Sequence, residues 1–180
     1  GFKSPSIFLA GTFGKESPME DAALWLIKLV LPLLKREIPA IHFYIAGVQS
    51  REVLADINDP NVSVVGEVES VLPYLSNATV SVVPLRFESG TRFKILEAGA
   101  CRIPVVSTTL GAEGIPVSDG KDILIADSPE EFSRAVLRAT SDAGLNQRLR
   151  QNGRRWVEEK YDWKIIYRAW DEVYARVLKS

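Results

Sequence analysis

The run Phe87-Glu88-Ser89-Gly90-Thr91-Arg92-Phe93-Lys94-Ile95-Leu96-Glu97-Ala98-Gly99-Ala100 has the residue types of an anion site. Small residues, Ser89-Gly90-Thr91, open a predicted helix with Arg92 and Lys94 in its first turn. Backbone N–H groups at a helix start have no partners within the helix and sit at the positive end of its dipole, so phosphate is drawn there. Arg92 and Lys94 point about 200° apart around the helix, so they cannot both grip a ligand from one side. Lys94, four residues after Gly90, has the better angle. A helix start that merely carries solvated cations would have the same composition.

Glu97 follows Lys94 by three residues and is flanked by Leu96 and Ala98. An ionised carboxylate in that setting needs donors. Two ribose hydroxyls would serve, because a carboxylate accepts from both at once. An internal ion pair with Lys94 or Arg86 would serve as well. A ligand with both phosphates and hydroxyls uses the whole set, and a nucleotide-sugar is such a ligand.

Other loops offer less. Gly11-Thr12-Phe13-Gly14-Lys15 follows the first strand-like run, where glycines let a phosphate approach closely. The dinucleotide fingerprint needs a third glycine where this chain has Ser17, which argues against an ordinary NAD domain. A turn requiring positive φ would explain the two glycines equally well. Gly66-Glu67-Val68 could hold a base through its backbone groups. Gly111-Ala112-Glu113-Gly114-Ile115 reads either as a ligand loop or as two turns. His42, alone inside a strand, reads as structural. With one His and one Cys there is no transition-metal constellation, and no Ser/His/Asp or Cys/His nucleophile set.

These loops need a scaffold, and the chain alternates elements to supply one. Ser6 to Ala10, Ile41 to Ala46, Val62 to Val65, Val80 to Val83, Pro104 to Ser107 and Ile123 to Ala126 read as buried strands. Asp21 to Arg36 reads as an apolar helix kinked by Pro32. Shorter helices are expected at Arg51 to Asp56, Val71 to Asn77 and Phe93 to Cys101. The pattern predicts an α/β, Rossmann-like doubly wound parallel sheet of about six strands with helices on both faces. The phosphate-suited loops then share its carboxyl edge. Extra helices follow: one opened by Pro129-Glu130-Glu131, one marked by Leu145, Leu149, Trp156 and Val157, and a terminal one. In the last, Trp163, Ile166, Tyr167, Trp170, Val173, Tyr174 and Val177 line one face, which is either core or a docking surface.

The 180 residues read as a single domain, 1–180, with room for a buried core. Against 22 Lys+Arg stand 23 Asp+Glu, so no general affinity for nucleic acid or an anionic membrane is expected. The lone Cys101 excludes an internal disulfide and reads as a buried thiol in a reducing compartment. The most apolar run, Ala22 to Leu34, contains Lys28 and Pro32 and is too short to span a bilayer. A soluble, cytoplasmic protein is expected.

The stretch Val82 to Ala98 closely resembles the donor-site segment of retaining GT-B glycosyltransferases, the glycosyl transferases group 1. The resemblance continues through Pro104-Val105-Val106-Ser107-Thr108, Gly111-Ala112-Glu113-Gly114-Ile115 and Tyr161-Asp162-Trp163. It implies the C-terminal, nucleotide-sugar-binding half of a two-domain transferase. In that family the glutamate matching Glu97 holds the ribose, and the Gly-Thr backbone with nearby cations holds the diphosphate. Carried over, this implies Ser89, Gly90, Thr91, Arg92 and Lys94 at the diphosphate, with Arg92 and Lys94 stabilising the leaving group. Gly66, Glu67 and Val68 are then at the base, with Gly11 and Thr12 completing the donor set. Two positions depart from the family pattern. Many relatives pair two glutamates eight positions apart, whereas here position 89 is Ser89 and Glu88 is displaced by one. An asparagine often follows the proline of the first loop, whereas here Met19 follows Pro18.

The resemblance further implies transfer of a sugar from a nucleotide-sugar with retention, without metal or cofactor. A missing N-terminal domain would carry the acceptor site and any peripheral membrane association, and the chain alone would bind nucleotide without turnover. Three rivals share some of these features: half of a sugar-nucleotide epimerase, a nicotinamide-dependent oxidoreductase, and a non-catalytic module docking through its terminal helix.

Overall fold

Runs of β-branched and aromatic residues become strands when both faces of a sheet are covered, and six runs do so here. The computed structural model describes residues 2–87 and 93–178. Its strands are β1 (Ser6–Ala10), β2 (His42–Ala46), β3 (Val62–Gly66), β4 (Val80–Val83), β5 (Val105–Ser107) and β6 (Leu124–Ile125). They pair in parallel in the order β3-β2-β1-β4-β5-β6. The switch point of this doubly wound sheet lies between β1 and β4.

The helices are α1 (Pro18–Trp25), α2 (Leu31–Glu37), α3 (Ser50–Val53), α4 (Leu72–Asn77), α5 (Phe93–Ala100), α6 (Pro129–Ser141), α7 (Ala143–Tyr161) and α8 (Trp163–Val177). The stretch expected as one helix from Asp21 to Arg36 is instead two α-helices joined by a π-turn over Leu26–Val30. Pro32 is the reason: it has no N–H to donate four residues back, and its ring would crowd that carbonyl. The chain widens just before it, with Leu31 donating to the Leu26 carbonyl. Pro32 then falls in the first turn of α2, where no donor is needed. Leu26, Val30, Leu31 and Leu34 stay buried through the change of register.

Ser17, Ser128, Asp142 and Asp162 each cap a helix start by accepting from a backbone N–H of the first turn. Ser128 does so with Glu131 in a full capping box. The helix α5 lies against α7 through Gly99 and Gly153, and Arg154 donates to the Ala100 carbonyl at 2.6 Å. A Cβ on Gly99 would come within 2.9 Å of Val157 and 3.1 Å of the Gly153 carbonyl oxygen, so small residues set that spacing. On another flank, α2 and the π-turn pack on α6, with Trp25 edge-on to Phe132.

The terminal helix corrects one of the two expectations for it. Its aromatic stripe is not core: Trp163 is 67% exposed, Tyr167 61%, Trp170 55% and Tyr174 59%. The helix is anchored to the rest of the protein through α7.

His42 is structural, as its isolation predicts. It is 2% exposed, and its Nε2 lies 2.8 Å from the Ser63 hydroxyl. Burial and then the charge of Lys3 hold its pKa below 6.5, only partly offset by Asp59. Asp59 is pushed up by burial, but the Asn61 N–H and the Lys35 ammonium outweigh this and leave its pKa lowered. Both groups predict acid sensitivity. On acidification the unfolded state protonates His42 first, so stability is complete above 6.5 and falls as pH drops toward the folded value. The Asp59 contribution is present above 3.8 and is lost as pH falls through its own lower folded value. Urea midpoints at about pH 7.5 and about pH 5.5 should therefore differ in the wild type and converge in His42→Gln.

Candidate ligand-binding cleft

Parallel strands direct their following loops to one edge, and a cleft of about 340 Å³ lies there. Its floor is the ends of β1 and β2, Ala10-Gly11 and Ala46-Gly47-Val48. Glu67, Val68 and Val71, beyond β3, form one side; Phe93, Lys94 and Glu97 on α5 form the other.

Backbone contact packs the floor tightly. Gly11 donates to the Ala46 carbonyl at 3.1 Å, and Gly47 donates to Gly66 at 2.8 Å. Gly47 has φ +142°, and a Cβ there would stand 1.7 Å from the Gly11 carbonyl oxygen. The β2–β3 register shifts between Ile45 and Ala46, so that Ala46 pairs with Gly66, whose φ is +89°. A bulge of this kind re-aims the chain at a sheet rim, and here it turns Glu67 and Val68 toward the cleft.

The first loop needs no positive φ at its glycines; Glu16, with φ +58°, takes the left-handed conformation instead. Ser17, standing where a dinucleotide fingerprint has glycine, receives hydrogen bonds from the N–H groups of Gly14 and Glu20 at 3.1 and 3.2 Å. It is thus a helix cap.

Among the sequence-predicted residues, Gly11, Glu67, Val68, Lys94 and Glu97 come together at the cleft. Thr12 is exposed outside its lining, and Gly66 is buried beneath it. Ser89, Gly90, Thr91 and Arg92 lie outside the described residues. The premise that an apolar setting forces donors on Glu97 is corrected: its side chain is exposed and faces the cleft. Arg86, a suggested internal partner for it, instead pairs with Asp21. The loop at Gly111 is also explained by packing, since a Cβ there would meet the Val83 carbonyl oxygen at 2.2 Å. It does not line the cleft.

Sequence reasoning missed Gly47, Val48, Val71 and Phe93. Gly47 stood directly after a predicted strand, the same signal that singled out Gly11. Phe93, 60% exposed between two cations in sequence, is an aromatic where a surface helix start would be polar.

The half-buried Cys101 thiol is pushed up by burial, then by the charge of Glu97, against a smaller opposing effect of Arg154. It therefore stays protonated near neutral pH and is no nucleophile. Among the described residues no cluster of three His, Cys, Asp or Glu is placed to hold a metal ion, and no helix is long and apolar enough to cross a membrane.

A doubly wound parallel sheet with a cation and a carboxylate of one helix lining a cleft at its carboxyl edge defines a Rossmann-like class of fold. The chain belongs to the glycosyl transferases group 1 family, whose model matches residues 4–142. It is 26% identical over 124 residues to the capsular polysaccharide biosynthesis glycosyltransferase CapM of Staphylococcus aureus, covering 68% of this chain and 32% of CapM. Its fold is that of S. aureus TarM, a point mutant of which was solved with fondaparinux, α-GlcNAc-glycerol and UDP. The TM-score is 0.76 at 18% identity, over 93% of this chain and 35% of that one. It is likewise that of Anabaena HepE, solved with UDP and glucose, with a TM-score of 0.75 at 11% identity over 96% and 48% of the two chains. The chain thus spans about a third to a half of the lengths of these proteins.

Proposed function

We propose that this chain is the donor-binding half of a glycosyltransferase and holds a nucleoside diphosphate-sugar in the cleft above β1 and β2. The observation that carries the reading is the meeting of Lys94 and Glu97 with the close-packed turns at Gly11 and Gly47. The diphosphate lies toward Lys94 and the start of α5, where cation and helix dipole stabilise the charge that develops on the leaving group. Ribose hydroxyls donate to Glu97. The base lies toward Glu67, Val68 and Val71, whose apolar portions offer a face for it. Electrostatic stabilisation of this kind needs no metal, and transfer proceeds with retention at the sugar. The UDP bound to TarM and HepE agrees with a nucleotide in this fold.

The acceptor site and the far wall of the cleft belong to a second domain. The greater length of the relatives supports this, and so does the uncovered aromatic face of α8. That face is also what favours the rival reading of a docking module, which predicts no nucleotide affinity.

Calorimetric titration with UDP, GDP and uridine separates the readings. The chain should bind a nucleoside diphosphate without change on adding EDTA, and should transfer no sugar. Lys94→Ala should weaken the diphosphate by about tenfold and uridine far less, with a smaller salt dependence. Equal weakening of both ligands would remove the phosphate site from α5, and robust turnover by these 180 residues would sink the two-domain reading.

A further inference from the structure

Arg86 and Asp21 stand outside the cleft lining, yet their pair spans the place where the sheet's connections part. The strand β1 leaves into the loop before α1, whose first turn holds Asp21; its neighbour β4 leaves through Pro84 and Arg86 toward α5. In this strand order the segments after β1 and β4 diverge, which is what opens the crevice. Arg86 Nε donates to Asp21 Oδ2 at 2.9 Å while a terminal guanidinium nitrogen donates to Oδ1. The guanidinium also lies 5.7 Å from the centre of the Trp25 ring, which is 4% exposed and fixed against Phe132. Carboxylate and ring together hold the planar fork in one orientation, which a lysine ammonium cannot reproduce.

We propose that Arg86 is a positioning residue: through Asp21 and Trp25 it sets where the exit of β4 stands relative to α1, and so the spacing between Gly11 on one arm and Lys94 and Glu97 on the other. This rests on the cleft being the nucleotide site. A pair with side chains 42% and 26% exposed adds little to global stability, so the thermal midpoint should hardly register its loss.

The test compares wild type with Arg86→Ala, Arg86→Lys, Asp21→Asn and the Arg86→Ala/Asp21→Asn double variant. Readouts are UDP and GDP affinity, the thermal midpoint, and hydrogen exchange of the α5 amides from Glu97 to Ala100, which donate within the helix, without ligand. Each single variant should weaken the diphosphate by about two- to fivefold, and the double should be no weaker than the singles, because one interaction is lost once. Arg86→Lys should behave as Arg86→Ala does. Midpoints should move by less than about 3 °C while the α5 amides exchange faster. Unchanged affinity with unchanged exchange in Arg86→Ala would overturn the proposal, as would losses that simply add in the double variant. If wild type binds neither nucleotide, the reading of the cleft fails, and exchange at α5 alone decides whether Arg86 positions it.

Discussion

Gly47→Ala should destabilise the protein by about 3 kcal/mol or more, beyond any other single change in the cleft lining. Two effects combine. At φ +142° an L side chain is strained whatever the space around it. The new Cβ would also sit 1.7 Å from the Gly11 carbonyl oxygen and 2.8 Å from its carbon. Those are backbone atoms and cannot rotate away as a side-chain end would. Relief requires pulling apart the turns after β1 and β2, along with the bonds from Gly11 to Ala46 and from Gly47 to Gly66. Gly114→Ala is the control: φ is +76° there with nothing within 4 Å, so only backbone strain of about 1 kcal/mol is expected. Urea unfolding of the two variants separates strain from collision. A Gly47→Ala protein as stable as Gly114→Ala would mean that the two turns do not touch.

Glu97→Ala should lose about 1.5–3 kcal/mol of nucleotide binding, a factor of roughly 10 to 150, the scale for hydrogen bonds to a charged group. Stability should change little, because the side chain is exposed and the partners it loses belong to the ligand. Titration and a melting curve on one variant suffice. A large drop in melting temperature with intact affinity would restore the internal ion pair as the role of Glu97 and remove ribose recognition from α5.

The strands were legible because each is a short apolar run between turn formers, and in β1, β2, β4 and β5 burial on both faces leaves no alternating pattern to mistake, whereas β3 at the edge is only half-buried. The parallel, doubly wound class of the sheet followed from the alternation with helices, whereas the order of its strands is known only from the structure. The helix across Pro32 was legible in extent, and Pro32 marked where it would be distorted; the form the distortion takes, a π-turn just before the proline, was not. In the cleft, Lys94 and Glu97 were legible as charges on the helix that follows β4, although Glu97 is exposed rather than held in an apolar setting. Gly47 carried the same cue as Gly11, a glycine directly after a predicted strand, but how strictly it must be glycine is set by its collision with Gly11, a tertiary fact. Asp21 and Arg86 were obscured similarly; their charges look like solvated surface until α1 and the exit of β4 are brought together. The stripe on α8 was plain, but periodicity reports only that one face differs from the other, and whether water or protein meets it is set elsewhere.

That stripe also divides the four tryptophans into two optical classes. Trp25 and Trp156 are 4% and 6% exposed, shielded from quenchers, and Trp156 is tied by its indole N–H to the Pro116 carbonyl at 2.9 Å. Trp163 and Trp170 stand 67% and 55% in water. Emission from the protein is therefore a sum of a blue, acrylamide-resistant part from the core and a red, quenchable part confined to one helix. Anything that settles on α8 converts the second into the first while the core pair stays constant, so the chain carries its own label for the moment that face is covered.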